Sequence, residues 1–227
     1  MIKLKKQLED VILITGQDVS NYQLSLFHDY VDILFKWHEK HNILSTRNIE
    51  YFIKRDFFDT VSFVGCLPDG LHVDVGTGAG IPGIILSILR NDNNFILVDR
   101  REKAIRFLEH VKIKLNLKNI DIVKTDINNL SVDNIPNSIL IKNFSNKVVS
   151  KMSFIQKVKY LYKLMKSRIK GRYKVLMMTG SNALVIPNII KIDGRITAKC
   201  TIHKIKTPFF PTNRFILEIL WFQIFCQ

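Results

Sequence analysis

Asp74-Val-Gly76-Thr-Gly78-Ala-Gly80-Ile-Pro-Gly83 gathers four of the chain's ten glycines into eight residues. Leu71–Val75 before it is a short apolar run, and Ile84, Ile85, Ile88 and Leu89 after it recur at helical spacing. The cluster is therefore the turn between a strand and a helix. Glycine there admits positive φ and lets a ligand approach the backbone, and Pro82 suits the first turn of the helix. Outward from the loop the same alternation repeats. Phe95–Val98 reads as a strand and Ala104, Ile105, Leu108, Val111 and Leu115 as a helical face; Ile120–Val123 and Ser138–Ile141 are further strands. Met152 to Ile169 gives another helix and Tyr173–Met178 another strand. Strands alternating with helices predict an α/β fold, a parallel sheet covered on both faces, here Rossmann-like and doubly wound.

The flanks extend that plan. Arg195–Ile205 and Phe215–Phe225, around Pro208 and Pro211, predict a C-terminal antiparallel hairpin. Residues 20–41 predict an amphipathic helix: Ser20 and Gln23 fit a capping box, and Leu24, Phe27, Val31, Leu34 and His38 step by three and four. The expected organisation is an N-terminal helical cap over residues 1–65 and a ligand-binding domain over 66–227, packed as one unit. A chain of 227 residues with 47% apolar and 24% charged residues has the composition of an ordered globular domain. Cys66, Cys200 and Cys226 are odd in number and form no CxxC, so neither a disulfide framework nor a cysteine-rich metal site is expected. Phe215 to Phe225 is too short for a membrane span and contains Glu218 and Gln223. A cytoplasmic protein with no membrane partner is the expectation.

Two ligand classes compete for the glycine loop. Gly78, Gly80 and Gly83 satisfy the dinucleotide pattern GxGxxG. Asp74, two residues before Gly76, would repel a pyrophosphate but favour the ammonium and sulfonium of S-adenosylmethionine. Asp99 ends the second strand, where an acid accepts hydrogen bonds from ribose hydroxyls in either class. The loop is thus read as an S-adenosylmethionine site in a class I methyltransferase sheet.

Charge points to a polyanion. Lys and Arg number 34 against 20 acids, a net charge of +14. From Lys142 to Lys174 there is no acid, and Lys159, Lys163, Lys166 and Lys170 share a helix face. Arg100 and Arg101 open a second cluster directly after Asp99. Such rows suit phosphate contacts.

The glycine loop, together with Lys36-Trp37-His-Glu-Lys-His41-Asn42-Ile-Leu-Ser45, resembles the small-subunit (16S) ribosomal RNA guanine-N7 methyltransferase G family. Arg55, Asp59-Thr60, Leu97-Val-Asp99 and Arg106-Phe-Leu108 extend the resemblance over nearly the whole chain. It implies that Gly76 and Ile81 line the cofactor, that Asp99 holds its ribose, and that Ile127 and Asn128 flank the adenine. Lys142 falls where the family has an arginine facing cofactor and target base. Asn128, Asp56, Lys142 and Thr179 stand where the family has glutamate, histidine, arginine and lysine. The implied activity is methylation of guanine N7, with Asp74, Gly76, Gly78, Gly80, Ile81, Asp99, Ile127, Asn128 and Lys142 as cofactor residues and Lys142 also the catalytic candidate. Arg55, Arg100, Arg101 and the lysine row would hold RNA, on a monomer acting on small-subunit ribosomal RNA or a partly assembled subunit. No Pro-Pro loop for an exocyclic amine and no suitably placed cysteine nucleophile occurs; N7, with its free lone pair, needs neither. The alternatives are a methyltransferase of a non-RNA substrate and an RNA-binding or assembly protein that keeps the pocket without transfer.

Overall fold

The glycine turn leaves strand β1 (Leu71–Val75) and enters helix α5 (Gly83–Leu89), as the spacing predicts. A computed structural model describes residues 2–132, 134–142, 152–169, 171–180, 184–211 and 213–223. The chain continues through β2 (Asn94–Asp99), α6 (Glu102–Lys114), β3 (Ile120–Lys124), β4 (Ser138–Ile141), α7 (Phe154–Met165) and β5 (Lys174–Thr179). β1 to β5 are parallel neighbours in the order β3-β2-β1-β4-β5, and the order reverses at β1, where the glycine loop lies. β8 (Arg214–Gln223) adds antiparallel to β5, and β7 (Ile196–Ile205) pairs antiparallel with β8, the expected hairpin. A three-residue edge strand, β6 (Ile189–Lys191), completes eight strands. Sequence reading misses it because three residues carry too little pattern.

Alternation along the strands divides the core. Leu97, Leu140 and Leu176 meet Ile84 and Ile88 of α5 and Phe107, Leu108 and Val111 of α6. Val73, Ile139 and Val175 meet Val158, Leu161 and Met165 of α7 on the other face. α7 ends at Met165, short of the expected Ile169, although Ile169 remains buried against the same face.

Helices α1 (Ile2–Ile14) and α2 (Asn21–His41) cover the α5/α6 face. The α2 capping box forms as expected, and Gln23 Nε2 also donates to Ile88 O at 2.8 Å, so the cap fixes α2 to α5. Tyr30 Oη donates to Ala79 O at 2.8 Å, tying α2 to the glycine loop. Trp37 packs on Phe107 and His110, with ring centroids 5.6 and 5.5 Å away. Then α3 (Ile49–Phe52), a π turn (Ile53–Phe57) and α4 (Phe58–Val61) run as one continuous helical stretch. A π turn holds one more residue than an α turn and so re-aims the side chains it carries.

Candidate active site at the carboxyl ends of the strands

β1 delivers its last residues to the level at which β2 and β4 end. Asp74 pairs in register with Leu97 and Leu140, so Lys142 stands level with Gly76 on the neighbouring strand. Gly76 and Thr77 donate to Val98 O at 2.8 and 3.1 Å, folding the loop over the end of β2. Gly76 and Gly78 have φ of +73° and +60°. No atom lies within 4 Å of where a Gly76 Cβ would stand, and at Gly78 only the Arg101 guanidinium comes closer than the loop's own carbonyl. This is a bare backbone cradle. Gly80 differs: a Cβ there would come within 2.3 Å of Ile84, so a glycine at this position also lets the loop pack against the helix.

Asp74 is 1% exposed. Its Oδ2 accepts from Thr77 Oγ1 at 2.6 Å and from the Gly83 N–H at 2.8 Å, while Oδ1 is buried without a partner. Burial pushes this carboxyl up to about 7; the Thr77 and Gly83 bonds pull against burial, Asp99 adds to it, and Lys142 opposes it. A buried acceptor without a partner, beside two glycines whose backbone lies open, fits a ligand bearing positive charge. The residues present therefore fit S-adenosylmethionine.

Asp99 ends β2 where the expectation puts it, and its oxygens are engaged by the chain itself. Its Oδ1 accepts from Arg101 N at 2.9 Å and Arg101 Nε at 3.1 Å, and its Oδ2 from Gly78 N at 2.9 Å and Arg101 Nη2 at 3.1 Å. Burial would raise this carboxyl, but Arg101 and Gly78 more than offset it and hold it below the ordinary range. Arg101, a candidate for RNA contact, also closes over the acid expected to bind ribose. Ile81 is half-buried against the α5/α6 core. Ile127 and Asn128 lie in a short turn after β3, where Asn128 Nδ2 donates to Asp126 Oδ1 at 2.7 Å and Arg168 Nε donates to Asn128 O at 2.6 Å. Arg168, from the basic run, thus fixes the turn.

Across β4 lies a cleft of about 280 Å³ lined by Ser45, Arg55, Asp56, Lys142, Met178, Thr179, Gly180 and Arg214. The π turn brings two successive residues, Arg55 and Asp56, to it. Lys142 Nζ donates to Asp56 Oδ1, and the Lys142 side chain is only 3% exposed. Arg214, at the start of β8, donates through Nε to Asp59 Oδ2 at 3.0 Å, and Nη2 bonds the same oxygen. Arg55 donates to Tyr51 Oη and makes no ion pair among the described residues. Arg55 and Lys142 are thus brought together, whereas Lys159, Lys163, Lys166, Arg100 and Arg101 do not line the cleft. Lys163, Lys166 and Arg100 are exposed and Lys159 half-buried; Lys170 lies outside the described residues. Sequence reading names Asp56 and Asp59 only for their place in the family pattern and does not name Arg214; their roles depend on partners 86 and 155 residues away.

A parallel sheet switching at β1, an antiparallel strand beside β5 and an open glycine loop define an S-adenosylmethionine-dependent methyltransferase of class I. The chain belongs to the rRNA small subunit methyltransferase G family, whose family model matches residues 23–183. It is similar to the ribosomal RNA small subunit methyltransferase G of Francisella tularensis subsp. tularensis (strain WY96-3418), 29% identical over 96% of this chain and 95% of that one. The enzyme of the same name from Ruthia magnifica subsp. Calyptogena magnifica is 28% identical over 76% and 82%. Among solved structures, a SAM-dependent methyltransferase from Aquifex aeolicus is similar over 75% of this chain and 92% of that one, with 13% identity and a TM-score of 0.47.

Proposed function

We propose that this protein transfers the methyl group of S-adenosylmethionine to N7 of a guanine in small-subunit ribosomal RNA, as a cytoplasmic monomer that meets its target on a partly assembled subunit. The observation that carries the reading is the family match over residues 23–183, which spans both the glycine loop and most of the cleft beside it. Gly76, Gly78, Gly80, Ile81, Asp99, Ile127 and Asn128 would hold the cofactor, with Asp74 as the buried countercharge behind the loop. When bound, that cofactor supplies an electrophilic methyl on a sulfonium. The chain's own task is then positional. N7 carries a lone pair at neutral pH, so no proton need be taken before attack, and a cleft that orients the base and sheds water supplies the remaining catalysis. Two of the cleft's cations are matched by acids, Lys142 by Asp56 and Arg214 by Asp59. Arg55 is left for a phosphate. No helix among the described residues is long and apolar enough to cross a membrane.

The test is transfer of labelled methyl from S-adenosylmethionine to unmethylated small subunits and to naked RNA, followed by nucleoside analysis. A 7-methylguanosine product, abolished by Asp74→Ala, is the expected result. Cofactor binding without any methylated product would instead identify an assembly protein with a retained pocket. Methylation of a different base or of protein would overturn the substrate assignment.

A further inference from the structure

Lys142 and Asp56 make an unusual floor for a site that receives an anionic polymer. The ammonium is almost wholly buried and already neutralised, so it is poorly suited to a phosphate. What the pair does offer is a donor and an acceptor side by side. Lys142 commits one of its three N–H bonds to Asp56 Oδ1. Asp56 Oδ2 makes no hydrogen bond among the described residues, and the side chain is 21% exposed toward the cleft it lines. The Asp56 backbone is fixed as well, its carbonyl accepting from Thr60 Oγ1 at 2.7 Å. Met178 adds a polarisable thioether to the same lining, a group that packs well against an aromatic ring. At about 280 Å³ the cleft lies just below the roughly 300–1,000 Å³ of drug-sized pockets, a size suited to one heterocycle.

Guanine presents the complement of this pair. Its O6 accepts, while the adjacent N1–H and the 2-amino group donate; adenine presents a donor and an acceptor in the reverse order. A base taken out of its stack is read along that edge. We propose that Asp56 is a specificity-determining residue for guanine, accepting from N1–H and the 2-amino group while Lys142 donates to O6. The inference rests on the function proposed above. It deepens that reading by naming which edge of the base is held, and N7, on the far side of O6 from N1, is left free of both contacts.

The test uses the full chain with S-adenosylhomocysteine present, titrated with guanosine, inosine and adenosine monophosphates, alongside methyl transfer to small subunits. Wild-type protein is expected to prefer guanosine to adenosine monophosphate by about 10–100-fold, with inosine, lacking the 2-amino group, between them. Asp56→Asn should erase that preference and lower kcat/KM for transfer by a similar factor, leaving S-adenosylhomocysteine affinity unchanged. Because Asp56→Asn also breaks a buried pair, Asp56→Glu, which keeps the charge, is measured with it and should recover part of the preference; melting temperatures show that each variant is folded. Equal or absent binding of the two nucleotides by wild type, or a preference that survives Asp56→Asn, overturns the inference. Transfer that fails in wild type while Asp56-dependent guanosine preference remains would overturn the proposed function and leave the inference standing.

Discussion

At the scale of single residues, Asp74 carries the most consequence. Its carboxyl is raised to about 7 by burial, against the opposing Thr77 and Gly83 hydrogen bonds and Lys142. An acid with a raised folded-state pKa holds its proton more tightly when folded. Its contribution to stability is complete below its ordinary value of 3.8 and is lost as pH rises to about 7. The melting temperature of the ligand-free protein relative to Asp74→Asn should therefore fall steadily across that window and level above it, which thermal scans at several pH values will show. A cationic ligand needs the ionised form, so the affinity of S-adenosylmethionine should rise roughly 20-fold between about pH 5 and pH 6.5 in wild type and stay flat in Asp74→Asn. Arg101 has the opposite bearing. Its guanidinium competes for the Asp99 oxygens expected to take ribose hydroxyls, through a pair whose arginine is 48% exposed. Such a pair is worth about 0.2–1 kcal/mol, so Arg101→Leu should tighten S-adenosylhomocysteine by about 1.4- to five-fold in a calorimetric titration. Weaker binding would make Arg101 a ligand contact instead.

At the scale of elements, what is legible in the sequence follows from local pattern. The strands from β1 to β5, the helices between them and the α2 capping box rest on periodicity and on side chains three or four residues apart, and the structure builds them within a few residues. The glycine loop is legible for the same reason, although its glycines divide by neighbour: only the packed structure shows Gly76 open and Gly80 pressed on Ile84. Illegible features depend on distant partners. The π turn gives no composition signal, and the meeting of Asp56 with Lys142 requires the whole parallel sheet to bring two remote segments together. The basic row shows the intermediate case. Helical spacing places Lys159 and Lys163 together on α7, but the helix stops before Lys166, and nothing local indicates that Arg168 turns to Asn128. If this surface contacts phosphates, replacing Lys159, Lys163 and Lys166 by Ala should reduce the slope of log affinity for small-subunit RNA against log salt by about 2, since each contact contributes about 0.7–0.9. An unchanged slope would leave Arg55 and the cleft as the RNA contact and the row as solvated surface.

At the scale of the whole molecule, the sheet is the shared wall of two cores, and the N-terminal helices are built into one of them. Gln23 to Ile88, Tyr30 to Ala79, Lys142 to Asp56 and Arg214 to Asp59 each join residues 1–65 to the rest of the chain. The last two also hold the cleft together, so a loosened cap would dismantle the site before the sheet melted. Removing one partner of a buried pair costs about 3–5 kcal/mol, a large share of ordinary domain stability. Cap and sheet should therefore unfold as one unit, and the two tryptophans report on each separately. Trp37 packs between α2 and Phe107 of α6; Trp221 lies on the opposite face of the sheet beside Tyr162 and Tyr173. In urea, Trp221→Phe leaves fluorescence from the cap side and Trp37→Phe leaves it from the α7 side. The midpoint from each should coincide with that from circular dichroism of the same variant, the mark of a single cooperative transition. If the Trp37 signal instead moves at lower urea than the circular dichroism of its own variant, the cap is a separate unit. Methyl acceptance would then be lost in that lower range, while the sheet and its glycine loop remained folded.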